Sequence, residues 1–261
     1  MIRKIHQTSR TNELSAHQLE SKELLQKHNP ELAYKLWEDK DLEELARKHF
    51  PEVHAVWHEL LGIQKADLGR YMILYQEGGF YADTDIYTRK NLLKELSMDS
   101  SVVFFAPSTP IWPWSKHTMT NYFLFAPFRK SPFLLSLIQA SVSKIRAWSG
   151  TKDQSYVPKT TGREIVSSTA KAVDGVKSFD PKEVTDLFCS STKVPDSCVV
   201  YHAGSTTRSG TTWHKDYTML IVKLECFLRT RLGFKGNLSQ APAVIISIVM
   251  LVLFWLTYLL I

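Results

Sequence analysis

The feature that most constrains this chain of 261 residues is a Gly-Gly pair set between a helix-like apolar pattern and a short apolar strand that carries two acids. The segment reads Tyr71-Met-Ile-Leu-Tyr-Gln-Glu-Gly78-Gly79-Phe-Tyr-Ala-Asp83-Thr-Asp85. Glycine accepts the left-handed conformation that stops a helix, so a helix is expected to end here and a strand to begin at once. That strand, Phe80 to Tyr87, is apolar and aromatic apart from its acids, as suits a central strand. Alternation along it sends Asp83 and Asp85 to the same side. Two acids on such a strand are costly unless something pairs with them. Their hard oxygens suit Mn²⁺ or Mg²⁺, with a phosphate supplying the remaining ligands, and a sugar-nucleotide diphosphate answers that description.

Upstream, Gln64 to Glu77 has apolar spacing near 3.6, which predicts a helix with Asp67 and Arg70 on one face. Alone they would be a surface ion pair. Beside a carboxylate pair and a Gly-Gly turn they read as site residues. The wider order is strand Lys4 to Thr8, helix Ser15 to Lys27, strand Tyr34 to Trp37, helix Asp41 to His49, then the Asp67 helix and the acidic strand. Asn29-Pro30 and Phe50-Pro51 punctuate it. Val102 to Ala106 reads as a further core strand and Pro132 to Arg146 as an amphipathic helix. Alternating elements of this kind predict an α/β protein with a mostly parallel, Rossmann-like sheet, whose ligands bind beyond the carboxyl ends of the strands.

Asp67-x-x-Arg70, Leu74-Tyr75, Gly78-Gly79-x-Tyr81 and Asp83-x-Asp85 together resemble the DxD region of glycosyltransferase family 32. Ile2-Arg-Lys-Ile-His6-Gln7-Thr8 is similar to that family's first strand, Ile-Pro-Lys-Ile-Ile-His-Gln-Thr-Trp, with Arg3 for the proline and Ser9 for the tryptophan. Asn121-Tyr-Phe with Ser131-Pro-Phe133, and Thr160-Thr161-Gly162, extend the resemblance, although Arg163 stands where the family usually has proline. Ser209-Gly-Thr-Thr-Trp213-His214 resembles a Gly-Ser-x-Trp-His segment of the fungal inositol-phosphoceramide mannosyltransferases in this family. These matches cover most of residues 1 to 216.

The resemblance implies a GT-A-like nucleotide-sugar transferase fold and metal-dependent, retaining transfer. The implied donor is a nucleotide sugar, GDP-mannose favoured and a UDP-sugar the alternative, and the acceptor a lipid such as inositol phosphoceramide, or a glycan. Asp85 then ligates Mn²⁺ or Mg²⁺, and Asp83 contacts the metal or the nucleotide ribose. Asp67 and Arg70 grip the donor sugar and diphosphate, with His6 and Thr8 beside the donor. Trp213, with Thr211 or Thr212, closes over the diphosphate as a flap. A regulatory membrane subunit is a further implied partner.

A hydrophobic content of 44% marks a globular chain able to bury one sizeable core. The formal charge of +6 comes from scattered Lys and Arg, without the basic run interleaved with aromatics that tracks a nucleic acid. It suits an anionic donor or lipid. Cys189, Cys198 and Cys226 form no metal-ligand spacing or disulfide framework, although Cys189 and Cys198 are near enough to pair. No His-x-x-x-His helix argues for zinc. His202, at the end of a strand-like run, reads equally as a substrate-facing residue or an ordinary hydrogen-bonded histidine. Pro107 to His117, with Trp112 and Trp114, reads equally as a packed loop or part of an acceptor pocket.

From Gly236 to Ile261 no residue is charged, and the 19 largely apolar positions from Ala243 onward would span about 28 Å as a helix, close to the hydrocarbon thickness. Two regions are therefore expected: a catalytic domain over residues 1–235 and a C-terminal transmembrane anchor over 236–261. Met1 to Arg10 has no apolar signal region. Lys223, Arg229, Arg231 and Lys235 before the span favour a cytosolic domain, whereas the resemblance favours the Golgi or ER lumen. Two other readings stand beside the enzyme. One is a noncatalytic membrane-tethered subunit that keeps the fold. The other is a haloacid-dehalogenase-like phosphatase, whose Asp-x-Asp pattern continues with Thr or Val where Tyr87 stands.

Overall fold

The computed structural model describes residues 2–107, 119–153, 155–186, 194 and 196–202. The anchor region 236–261, the proposed flap with Thr211 and Trp213, Cys189, Cys226 and the Trp112 and Trp114 segment lie outside the described residues. No described helix is long and apolar enough to cross a membrane.

In chain order the elements are β1 (Lys4–Ser9), α1 (Ala16–His28), β2 (Ala33–Glu38), α2 (Asp39–His49), α3 (Pro51–His54), α4 (Gly62–Glu77), β3 (Gly79–Ala82) and β4 (Ile86–Thr88). They continue with α5 (Leu92–Glu95), β5 (Val103–Pro107), β6 (Met119–Ala126), α6 (Pro132–Arg146), α7 (Tyr156–Thr160), α8 (Arg163–Ala172), β7 (Val176–Ser178), β8 (Val184–Asp186) and β9 (Val200–His202). A six-stranded sheet runs β2-β1-β3-β6-β5-β7. Within it β6 is antiparallel to both neighbours and every other pairing is parallel, so the expected mostly parallel sheet is present with one reversed strand. A second sheet of three strands runs β4-β9-β8.

Alternation along the strands divides the core in two. Tyr81, Val103, Phe105 and Leu124 face the helical side with α2, α4, α6 and α8. Phe80, Phe104, Phe123 and Phe125 face the other side with Phe179 and Val184. Phe80 and Phe125 are cross-strand partners whose rings stack at 4.4 Å, a favoured offset arrangement. Helix α6 begins on Ser131, whose hydroxyl accepts from Leu134 N, with Pro132 at the first helical position. Its buried Phe133, Leu134, Leu137, Ile138, Val142 and Ile145 follow the helical period.

Helix α4 ends as its glycines dictate. Gly78 and Gly79 have φ of +63° and +89°, and a β-carbon on Gly79 would lie 2.5 Å from the Lys4 carbonyl oxygen. The turn therefore needs glycine twice, once for conformation and once for the close approach of β1 as well.

The continuous strand expected from Phe80 to Tyr87 is instead two strands in two sheets. Asp83 N still bonds the Tyr122 carbonyl at 2.8 Å, but Ile86 N turns back onto Asp83 O at 3.1 Å, and Ile86 then pairs with His202 of β9. The Asp-x-Asp triplet is thus a turn between sheets, and strand alternation does not orient its acids. The turn forms because its carbonyls find side-chain partners from β1 and α1 in place of a neighbouring strand.

Candidate active site

The carboxyl ends of β1 and β3 lie side by side, the position at which an open α/β sheet binds ligands. From β3, the Tyr81 hydroxyl donates to Asp83 Oδ1 at 2.8 Å and meets Thr8 Oγ1 of β1 at 2.7 Å. Register explains the meeting: Tyr81 pairs with His6, and Thr8 follows on the same face of β1.

Helix α4 brings Arg70 to this point. Its Nε donates to Ala66 O at 3.2 Å and its Nη1 to Asp83 Oδ2 at 3.2 Å and to the Asn121 carbonyl. Nη2 lies 3.2 Å from Asp67 Oδ1, and the guanidinium sits over the Tyr81 ring at 5.0 Å. With a side chain 6% exposed, Arg70 is an internal bridge between two acids and is turned toward protein groups. Burial opposes its charge, but Asp83 above all, with Tyr81 and Asp67, holds its pKa above the ordinary value.

Asp67 is saturated. Its Oδ1 accepts from Asn121 Nδ2 at 2.8 Å and its Oδ2 from Thr161 Oγ1 at 2.8 Å. Burial pushes its pKa up, against the pull of Arg70, Thr161 and Asn121. Asn121 also donates to the Tyr71 hydroxyl at 2.8 Å, and Tyr71 donates to the Thr161 carbonyl at 2.7 Å. A buried polar network of this kind is costly unless every member is satisfied, and these contacts satisfy it.

Asp85 stands apart from that network. Its Oδ2 is 3.1 Å from His202 Nε2, with the carboxylate 35% exposed and the imidazole 15%. Burial works to raise the Asp85 pKa, but the His202 interactions outweigh it and hold the group below the usual carboxylate value. Asp83 goes the other way, to about 6, through burial opposed by Arg70 and reinforced by Asp85. The His202 ring stacks on Tyr122 at 5.0 Å and 15°. His202, at the end of β9, therefore pairs with the second acid of the triplet. Among the described residues no three His, Cys, Asp or Glu side chains close a metal site. Mg²⁺-like cations need only one or two carboxylates when substrate phosphates complete the shell, and the partly exposed Asp85 carboxylate is a ligand type that suits Mg²⁺ or Mn²⁺.

His6 is placed differently from its neighbours. It is 1% exposed, its Nε2 bonds the Gly78 carbonyl at 3.1 Å, and Trp37 Nε1 donates to its Nδ1 at 3.1 Å. Both ring nitrogens are thus committed to the frame behind the site, and burial drives its pKa down to about 4. The structure brings Thr8, Asp67, Arg70 and Asp83 into one network, with Asp85 at its edge and His6 outside it. Asn121 and Thr161 belong to the network although the sequence reading assigned them no role. Both stood inside segments carrying the family resemblance, which was the available signal.

Residues 15–103 match the family described as "Glycosyltransferase sugar-binding region containing DXD motif". That stretch includes Asp67, Arg70, Asp83 and Asp85 but stops before Asn121, Thr161 and His202. The chain is 32% identical over 89 residues to inositol phosphoceramide mannosyltransferase 3 of Schizosaccharomyces pombe, covering 34% of this chain and 25% of that protein. It is 30% identical over 120 residues to the same organism's pyruvylated Gal-beta-1,3-epitope synthesis protein 2, covering 42% of this chain and 30% of that protein. The chain thus matches under a third of the length of either relative. Among solved structures, the PaToxG glycosyltransferase superposes with a TM-score of 0.51 at 16% identity, over 66% of this chain and 69% of that one. Residues 15–103 thus match a DXD-containing glycosyltransferase sugar-binding region of the family 32 type, and the fold that carries them is GT-A-like with a mixed α/β sheet.

Proposed function

We propose that this chain is a membrane-anchored, divalent-metal-dependent hexosyltransferase that moves a sugar, mannose favoured, from a nucleotide diphosphate donor to a lipid such as inositol phosphoceramide, or to a glycan. GDP-mannose is the favoured donor and a UDP-sugar the alternative. The observation that carries the reading is the joining of two kinds of acid on one turn: Asp83, locked by Arg70 and Tyr81, beside Asp85, which is partly exposed and pairs with His202.

Asp85 would hold the cation, with Asp83 alongside. The carboxylate oxygens suit Mn²⁺ or Mg²⁺. The bound cation supplies a Lewis acid that offsets charge developing on the departing diphosphate. Arg70 holds Asp83 in one orientation and is itself held by Asp67, which Asn121 and Thr161 fix. Trp213 and Thr211 or Thr212 cover the diphosphate and exclude the water that would hydrolyse the donor. Residues 236–261 anchor the domain in a Golgi or ER membrane, concentrating a lipid acceptor near the site.

The test is diphosphate release from a panel of nucleotide sugars by the purified full chain, with and without Mn²⁺. Asp85→Asn, which nearly preserves side-chain volume, is expected to abolish transfer while the protein stays folded. Wild-type turnover by folded Asp85→Asn at limiting Mn²⁺ would refute the assignment. For the acceptor, the full chain and a version ending at Lys235 are compared on liposomes bearing inositol phosphoceramide and on soluble glycans. Loss of lipid transfer alone on truncation is expected. Transfer only to soluble glycans, unaffected by truncation, would remove the lipid reading.

A further inference from the structure

The turn that carries the acids is held from behind by side chains that the proposed reaction does not otherwise use. Asp83 O, which already accepts from Ile86 N at 3.1 Å, also accepts from Gln7 Nε2 at 3.1 Å. Gln7 is fully buried on β1. Its amide nitrogen also donates to Ser21 Oγ at 3.2 Å, and its oxygen accepts from the Tyr34 hydroxyl at 2.9 Å. Ser21, fully buried on α1, donates to Ile86 O at 2.5 Å. One helical turn earlier, Gln18 Nε2 donates to Thr84 Oγ1 at 3.0 Å, while its oxygen accepts from Ser15 N at the helix start at 2.9 Å.

The order of protons in this chain is forced. Carbonyl oxygens only accept, so Ser21 must donate to Ile86 O and accept from Gln7. Gln7 must then turn its nitrogen toward both Ser21 and Asp83. One amide orientation satisfies these contacts and ties the turn at the carbonyls of residues 83 and 86, on both sides of Asp85, while Gln18 separately holds the Thr84 hydroxyl.

Helix α1 is built for this contact along its length. Beyond Ser21, Thr88 Oγ1 donates to Leu24 O at 3.1 Å and Asn91 Nδ2 to His28 O at 3.0 Å. A helix docked by burial alone shows an apolar stripe. This inner face is instead hydrogen-bonded step by step to residues 84 to 91, which fixes its register against the turn.

We propose that Gln7, Ser21 and Gln18 are positioning residues of the cation site: they fix the Asp83 to Ile86 turn, Gln7 and Ser21 through its carbonyls and Gln18 through the Thr84 hydroxyl, and so set how tightly Asp85 and its neighbours hold a divalent cation. The proposal rests on the metal-dependent reading above. Hydrogen-bond partners that orient metal ligands commonly account for 10–100-fold of affinity.

The test measures binding of Mn²⁺ alone to the full chain, from the spin-resonance signal of the free ion, for wild type, Asp85→Asn, Ser21→Ala, Gln7→Glu and Gln18→Ala. Thermal unfolding in a chelator reports whether each variant folds. Ser21→Ala and Gln7→Glu are expected to weaken Mn²⁺ binding about tenfold or more, with transfer recovered by added Mn²⁺, so that the metal requirement rises while kcat holds. Gln18→Ala acts at the half-exposed rim and shifts binding in the same direction, so it decides the matter should the buried variants unfold. Equal binding by wild type and Asp85→Asn would overturn the metal reading itself. Loss of binding in Asp85→Asn with wild-type affinity in the folded strut variants would overturn the positioning role alone.

Discussion

Lowering the pH on metal-free protein tests whether His6 is a neutral part of the frame. In the native state its Nδ1 accepts from Trp37 and its Nε2 faces the Gly78 carbonyl, so the ring is held as the Nε2–H tautomer. A second proton would need a partner at Nδ1, where Trp37 already points a donor. Burial is the largest cause of the fall in its pKa from 6.5 to about 4, with Lys4 and Lys35 assisting and Gly78 and Glu77 opposing. Above pH 6.5 the ring is neutral folded or unfolded and adds no pH dependence. As pH falls below 6.5 the unfolded chain takes a proton that the native ring refuses, so stability is lost until about pH 4, where the native ring also titrates. At about 1.4 kcal/mol for each tenfold change in proton affinity, the loss comes to about 3 kcal/mol by pH 4. Asp83 runs the opposite way, since a raised carboxylate pKa favours the native state as pH falls. A difference measurement removes it. His6→Gln offers a donor and an acceptor without titrating, and urea unfolding of both proteins from pH 7.5 to 4 in a chelator gives the gap between them. The wild-type advantage over His6→Gln should shrink by about 3 kcal/mol across that range. A gap that does not change with pH would refute the neutral, buried His6.

Arg70→Lys cannot reach Asp67, Asp83 and the Asn121 carbonyl together, because an ammonium lacks the planar fork. It should lose about 3 kcal/mol of stability and on the order of 100-fold in turnover through misplacement of Asp83; unchanged melting and turnover would refute the bridging role. Gly79→Ala should cost more than about 4 kcal/mol, since its β-carbon meets the Lys4 carbonyl at 2.5 Å. Gly175→Ala shares a positive φ but has open space around it and should cost about 1–2 kcal/mol; equal costs in urea unfolding would dismiss the close approach of β1 and β3. Tyr81→Phe removes the hydroxyl shared by Asp83 and Thr8 and should destabilise by about 1–2 kcal/mol, with a neutral melt counting against the network.

Local rules carried much of this molecule. The left-handed requirement at Gly78 and Gly79, the helical period of Phe133 to Ile145 and the proline at the start of α6 each act within a few residues, so their outcome was legible in the amino-acid order. So was the gathering of Asp67 and Arg70, since three residues on a helix bring two side chains to one face. Partners distant in the chain were another matter. His6 stood beside Thr8 in the same strand motif, yet its partner Gly78 lies 72 residues away, and that contact takes it out of the network that Thr8 joins. The expected strand through Asp83 and Asp85 broke because Gln7 and Ser21 satisfy the turn's carbonyls, a contact no period encodes. The family resemblance sets Arg70 on the donor sugar and diphosphate, whereas the fold surrounds it with Asp67, Asp83 and Asn121 and leaves its side chain 6% exposed. The amino-acid sequence determined which residues were chemically able to build the site, because conformation and charge belong to each residue locally. The tertiary structure decided which groups face one another and which face solvent, because hydrogen-bond saturation and burial are properties of the packed whole.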